Sequence, residues 1–202
     1  MYREVFFDLE TKKLFGDVDE GNPSLLGASI VSLWERTLNK NLEEVDGALN
    51  SFWESDFEQM WKVFQNADRI IGFNSIGFDS QVLKPYVNFP FEKLPHFDIM
   101  GKFKDAVGHR ISLDALTKET LGREKTDVGI NAVYYYQKGD AKSLAKLKKY
   151  CENDVIITKD LYDFILKNGY VLYKDKWNTP RKVELDFSYP KKETEESQIG
   201  LF

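Results

Sequence analysis

The chain carries one cysteine and two histidines, and it contains no run of eighteen apolar residues. Each scarcity removes a class of protein. A lone Cys151 forbids an intrachain disulfide and suits a reducing compartment. His96 and His109 stand thirteen positions apart with a single cysteine elsewhere, which is no zinc-binding spacing. The apolar runs are too short for a spanning helix, and the N-terminus lacks the basic-then-apolar pattern of a secretory signal. The expected location is therefore the cytoplasm. Positive charge is also short: the net charge is −5, which argues against a broad, non-specific grip on polyanions. A compact acidic site remains open, because its own carboxylates lower the net charge and bound divalent ions would restore it. No internal repeat is apparent.

What is present describes an ordinary globular chain. Its 202 residues suit one domain with small appendages and suffice to bury a sizeable core. Hydrophobic content is 42% and charged content 30%. The run Val5-Phe6-Phe7-Asp8-Leu9-Glu10-Thr11 predicts a half-buried first strand, with Phe6, Asp8 and Glu10 on one face and Val5, Phe7 and Leu9 on the other. Two carboxylates side by side on one face repel unless a cation lies between them, and hard divalent cations are the usual answer. The plainer alternative is a solvated edge strand that merely carries two acids.

After a turn at residues 12–16 and an exposed acidic loop at 17–23, residues 25–34 predict a second strand antiparallel to the first. A further strand is expected within 36–52. Residues 56–66 place Phe57, Met60, Trp61 and Phe64 at helical spacing. A short strand at 69–73, a turn at 74–77 and a helix over 78–86 follow, then a strand at 94–99. Ser112 caps a helix that Gly122 stops, and a shorter helix covers 130–137. The longest helix runs over 140–167, capped by Asp140 and ended by Asn168-Gly169. Its expected buried stripe is Leu144, Leu147, Cys151, Val155, Thr158, Leu161, Tyr162 and Ile165. Residues 170–173 and 183–187 predict a terminal hairpin. The order of elements indicates an α/β domain with a mixed sheet over 1–189. The polar stretch from Pro190 indicates a flexible tail over 190–202.

Asp79 follows the end of a strand and opens a helix, where open α/β sheets gather ligands. It would equally serve as a simple helix cap. Tyr150 and Asp154 are four apart on one helix face. Asp154 borders the apolar stripe, so it needs a partner that its own helix does not supply. Glu152, Asp160 and Asp163 are expected to be solvated.

Together FFDLET, NSIGFD and YCEND, in that order, resemble the motifs of the DEDD superfamily of 3′→5′ exonucleases, whose fold is ribonuclease H-like. Tyr150 stands four before Asp154, and Lys149 rather than a histidine stands five before, so the chain resembles the tyrosine subclass. That subclass includes the proofreading domains of family B DNA polymerases and small stand-alone relatives. The similarity covers roughly residues 4–166 and extends to HRISLDAL and LGREKTD. No polymerase role is carried over with it.

The resemblance implies that Asp8, Glu10, Asp79 and Asp154 hold two Mg²⁺ or Mn²⁺ ions for phosphodiester hydrolysis. It implies that Tyr150 orients the attacking water and that the substrate is a DNA 3′ end. Thr11 and Asn74 become candidates for the terminal nucleotide, and Arg110 and Lys125 for phosphate. Turn chemistry for Asn74 and plain surface charge for the basic pair explain these four as well. Asp98 is a fifth, weaker acidic candidate.

Residues QIGLF, with Gln198, Ile199, Leu201 and Phe202, resemble the Gln-Leu-x-Leu-Phe peptide by which bacterial replication and repair proteins dock on a sliding clamp. Isoleucine replaces the first leucine. The alternative is a tail whose last two residues tuck onto the chain's own surface. A clamp tether would place the protein at the nucleoid and favour DNA over RNA. Two rivals stay open: an RNA-trimming exonuclease, since nothing here reads a 2′-hydroxyl, and a catalytically idle ribonuclease H-like adaptor. Acids at all four positions count against the idle version.

Overall fold

Strand β1 (Tyr2–Thr11) carries apolar residues on both of its faces, and the fold covers both. The computed structural model describes residues 1–123 and 129–189. A five-stranded mixed sheet has the order β3-β2-β1-β4-β5, with β2 (Ala28–Leu38), β3 (Glu44–Trp53), β4 (Arg69–Gly72) and β5 (His96–Asp98). β1 lies antiparallel to β2 and parallel to β4. It is therefore the central strand, not a half-buried or edge strand. Phe6 and Phe7 are both fully buried, on opposite faces.

One face packs against α1 (Phe57–Gln65) and α2 (Asp79–Leu83), joining Val5, Phe7 and Leu9 to Phe57, Met60, Phe64 and Val82. The other packs against α3 (Ile99–Val107), α4 (Leu113–Leu121) and α6 (Ala141–Asn168). A further helix, α5 (Gly129–Lys138), lies against α6 and the end of β1. The architecture is α/β in three layers. Leu147, Val155, Leu161 and Ile165 on α6 are buried, and each such side chain contributes roughly 1.5–3 kcal/mol. Local capping sets the helix ends: Ser112 and Asp140 accept amide hydrogen bonds as N-caps, and Gly122 and Gly169 take left-handed C-cap conformations.

Several expected boundaries shift. Residues Pro23–Leu25 form a short 3-10 turn, so β2 begins at Ala28 and runs on to Leu38. Helix α2 ends at Leu83 and tightens into a 3-10 turn at Lys84–Tyr86, where Pro85 has no N–H to donate. β5 is only three residues long. Its last residue, Asp98, accepts from the Gly101 amide and starts α3, a helix that apolar spacing around Gly101 conceals.

Strands β6 (Tyr170–Lys174) and β7 (Pro180–Glu184) form a hairpin with Val171 opposite Val183, its second strand starting three residues before the expected 183–187. Beyond β7 the chain leaves the sheet, and Leu185 and Phe187 enter the core. On α6, Leu144 is only half-buried, whereas Tyr150, Asp154 and Ile157 join the buried face.

The three acids expected to be solvated are all paired. Asp163 binds the buried Arg36 at 2.7 Å, and Arg36 also meets the fully buried Glu4. Tyr162 and Tyr189 donate their hydroxyls to the same Glu4 carboxylate. Removing one partner from such a buried pair costs about 3–5 kcal/mol. Asp160 pairs with Arg123, and Glu152 accepts from Ser51 Oγ at 2.8 Å.

Candidate active site

Because β1 and β4 run parallel, their C-terminal ends open on the same side of the sheet. Asp8 and Glu10 occupy the end of β1, where a bulge after Glu10 interrupts the ladder to β2. Helix α6 crosses this end. Its Cys151 thiol lies 3.4 Å from the Asp8 backbone oxygen, and on β3 Ser51 reaches Glu152. These contacts set the position of Tyr150 and Asp154 beside β1. Ligating oxygens of Asp8, Glu10 and Asp154 lie within 4.8 Å of one another. Asp154 is 3% exposed, while Asp8 and Glu10 are half-buried.

The donor set fits a hard cation. Three carboxylates gathered this closely repel one another and offer only oxygen, the preference of Mg²⁺ and Mn²⁺. No histidine joins them, and burial, followed by the charges of Asp8 and Glu10, pushes the Cys151 thiol well up, away from a ligating thiolate. Burial and then Asp154, Glu10 and Asp8 likewise raise the Tyr150 phenol, which hydrogen-bonds with Asp154. A phenol held neutral among carboxylates donates a hydrogen bond and does not act as a base.

The turn after β4 is built for close approach. A Cβ on Gly72 would come within 2.5 Å of the Ser75 Cβ, so glycine alone lets the turn fold back there. Asn74 takes a left-handed conformation with φ 62°. Asp98 clamps the turn from β5, accepting from the amides of Asn74 at 2.9 Å and Ile76 at 3.0 Å. With the Gly101 amide it accepts three backbone hydrogen bonds. Asp98 is thus a scaffold residue, not a fifth member of the acidic group. Asp79 emerges from this turn 5% exposed and stands outside the 4.8 Å trio. Burial, together with the nearby Asp98 charge, raises its carboxyl to about 8; its own amide and the Leu9 amide on β1 oppose the rise. The Leu9 contact puts Asp79 against the strand that carries Asp8 and Glu10.

The family model RNase_H_2, described as RNase_H superfamily, matches residues 5–166. The chain belongs to the RNase_H superfamily. No curated protein matches the chain. Superfamily membership supports nuclease-type hydrolysis of a nucleic-acid substrate with divalent metal, and the acidic trio agrees with it. The matched span takes in all four acids and Tyr150 and stops before the β6–β7 hairpin. Among the described residues, no helix is long and apolar enough to cross a membrane.

Of the remaining candidates, Thr11, Asn74 and Arg110 fall among the described residues. Thr11 bonds its hydroxyl to the Lys13 carbonyl at 2.9 Å, closing the turn after β1. Asn74 keeps a buried Oδ1 with no hydrogen-bond partner among the described residues. Arg110 is exposed, and its Nη2 lies 3.5 Å from where a Gly77 Cβ would stand, so it borders the same turn. Lys125, Gln198, Ile199, Leu201 and Phe202 lie outside the described residues, as does the tail over 190–202.

His96 is half-buried against the core. Its Nε2 meets the Phe91 carbonyl at 2.9 Å, and burial lowers its pKa. Sequence reading missed Ser51, Glu152 and the positioning contact of Cys151. The only available signal was the apolar stripe of α6, which places Cys151 inward without naming what it touches.

Proposed function

We propose that this chain is a metal-dependent 3′→5′ exonuclease acting on DNA. The observation that carries the reading is the Asp8, Glu10 and Asp154 trio with the neutral Tyr150 phenol beside it. Asp8, Glu10 and Asp154 would hold Mg²⁺ or Mn²⁺, with Asp79 completing a two-ion site from the turn after β4. Bound ions supply Lewis-acid activation of water and neutralise charge on the leaving 3′ oxygen.

The chain's own groups do the rest. Tyr150 would hydrogen-bond the water through its hydroxyl oxygen and fix its orientation toward phosphorus. Thr11, the last residue of β1, and Asn74, in the turn after β4, would receive the terminal nucleotide. Arg110 and Lys125 would meet phosphate. The QIGLF segment supports a sliding-clamp tether, with Leu201 and Phe202 as apolar anchors.

The test is hydrolysis of 5′-labelled DNA and RNA strands by the full chain with Mg²⁺, with Mn²⁺ and with EDTA. A metal-dependent ladder of successively shortened DNA is the expected result. Immediate release of the label as a mononucleotide would overturn the polarity, preference for RNA would overturn the substrate, and an inert chain would overturn the reading altogether.

A further inference from the structure

The β6–β7 hairpin lies outside the span matched by the family and is rich in basic residues. Over residues 174–184 it sets Lys174, Lys176, Arg181 and Lys182 against Asp175 and Glu184, in a chain whose net charge is −5. Its turn is ordered. Asp175 accepts from the amides of Trp177 and Thr179, each at 3.0 Å, and from Arg181 Nε at 2.8 Å. Asn178 completes the turn in a left-handed conformation with φ 61°. Trp177 is thus held at the tip with 72% of its surface exposed. Lys176 places its ammonium 4.3 Å from the indole centroid.

Beside the tip is a cavity of about 620 Å³, lined by Val107, His109, Tyr173, Asp175, Lys176, Trp177 and Arg181. The His109 ring lies 5.9 Å from Tyr173, which in turn packs edge-on against Phe103. Aromatic walls under a cationic rim suit an unstacked base with its phosphate. The cavity is linked along the chain to the turn that precedes Asp79. Arg110 follows His109 directly and borders Gly77, in the turn that delivers Asp79.

We propose that the β6–β7 hairpin is a second contact for single-stranded nucleic acid, stacking a base of the same strand whose end enters the carboxylate site. This inference rests on the nuclease reading above. Trp177 supplies the stacking surface, and Lys176 and Arg181 meet the backbone. A strand too short to reach from the carboxylates to the tip binds without this contact.

The experiment measures equilibrium binding of 5′-fluorescein oligodeoxythymidylates of increasing length to the full chain in EDTA, by anisotropy. Wild-type affinity is expected to step up once the strand is long enough to reach the tip. Trp177→Ala, at an exposed position that leaves the core intact, should lose that step, about tenfold on long strands. Lys176→Ala should reduce the slope of log affinity against log salt by about 0.7. Equal affinity of wild type and Trp177→Ala at every length overturns the inference. If that result accompanies metal-dependent hydrolysis by the wild type, the hairpin fails and the exonuclease reading stands. If Trp177-dependent binding accompanies a chain that hydrolyses nothing, the exonuclease reading fails and the hairpin stands as a binding surface.

Discussion

Cys151 on α6 places its sulfur 3.4 Å from the backbone oxygen of Asp8 on β1. This contact joins the helix that carries Tyr150 and Asp154 to the strand that carries Asp8 and Glu10. Cys151→Ala should cost about 1 kcal/mol in a urea titration, and it should lower turnover more than substrate affinity. The thiol is buried and held protonated, so the native chain should resist a thiol reagent that the unfolded chain consumes at once. Rapid native labelling would show that α6 does not hold this position.

Asp8→Ala and Asp154→Ala should each abolish hydrolysis, because on the proposed reading either change removes a metal ligand from the trio. The same variants should be as stable as the wild type in EDTA, or more so, since one of three crowded negative charges is gone. Turnover and the thermal midpoint by circular dichroism check the two halves separately. Residual activity near the wild-type rate would mean that other groups hold the metal.

For Tyr150→Phe a partial loss is expected, on the order of tenfold to a hundredfold in kcat, with little change in KM. On the proposed reading the hydroxyl acts on water in the transition state and contributes little to ground-state binding. An unchanged kcat would reduce Tyr150 to a packing residue of α6.

Asp140 provides a pH test away from the site. The Ser143 amide and hydroxyl, the first causes of the shift, hold its carboxyl down to about 2. A carboxyl depressed in the folded state stabilises it above the unfolded value near 3.9, and that contribution fades as pH falls toward about 2. Asp140→Asn keeps a capping oxygen without the charge. Its midpoint deficit relative to wild type should therefore shrink across that acid window. A deficit that stays constant with pH would assign the cap no charge dependence.

A synthetic peptide of residues 190–202 should bind a bacterial sliding clamp with micromolar affinity, about −8 kcal/mol. Ordering a free peptide on binding offsets much of the gain from burying Leu201 and Phe202. Alanine at both anchors should abolish binding. A titration to high micromolar peptide with no signal would falsify the tether.

What the sequence determined by itself was local. Alternation along β1 places Asp8 and Glu10 on one face, the four-residue spacing of Tyr150 and Asp154 places them on one helix face, and Ser112, Gly122, Asp140 and Gly169 mark helix ends within a turn of their own amides. Pairing between distant segments was decided only by the tertiary structure. β1 became the central strand because β2 and β4 flank it, and no periodicity within residues 2–11 reports its neighbours. Asp163 looks solvated from its own helix, yet it meets Arg36, 127 positions away in sequence. Asp98 reads as one more acid until the amides of Asn74, Ile76 and Gly101 converge on it. Periodicity and capping are set by bonds within a few residues, whereas the partner of a buried charge is chosen by whichever remote group the packed layers bring within hydrogen-bonding distance.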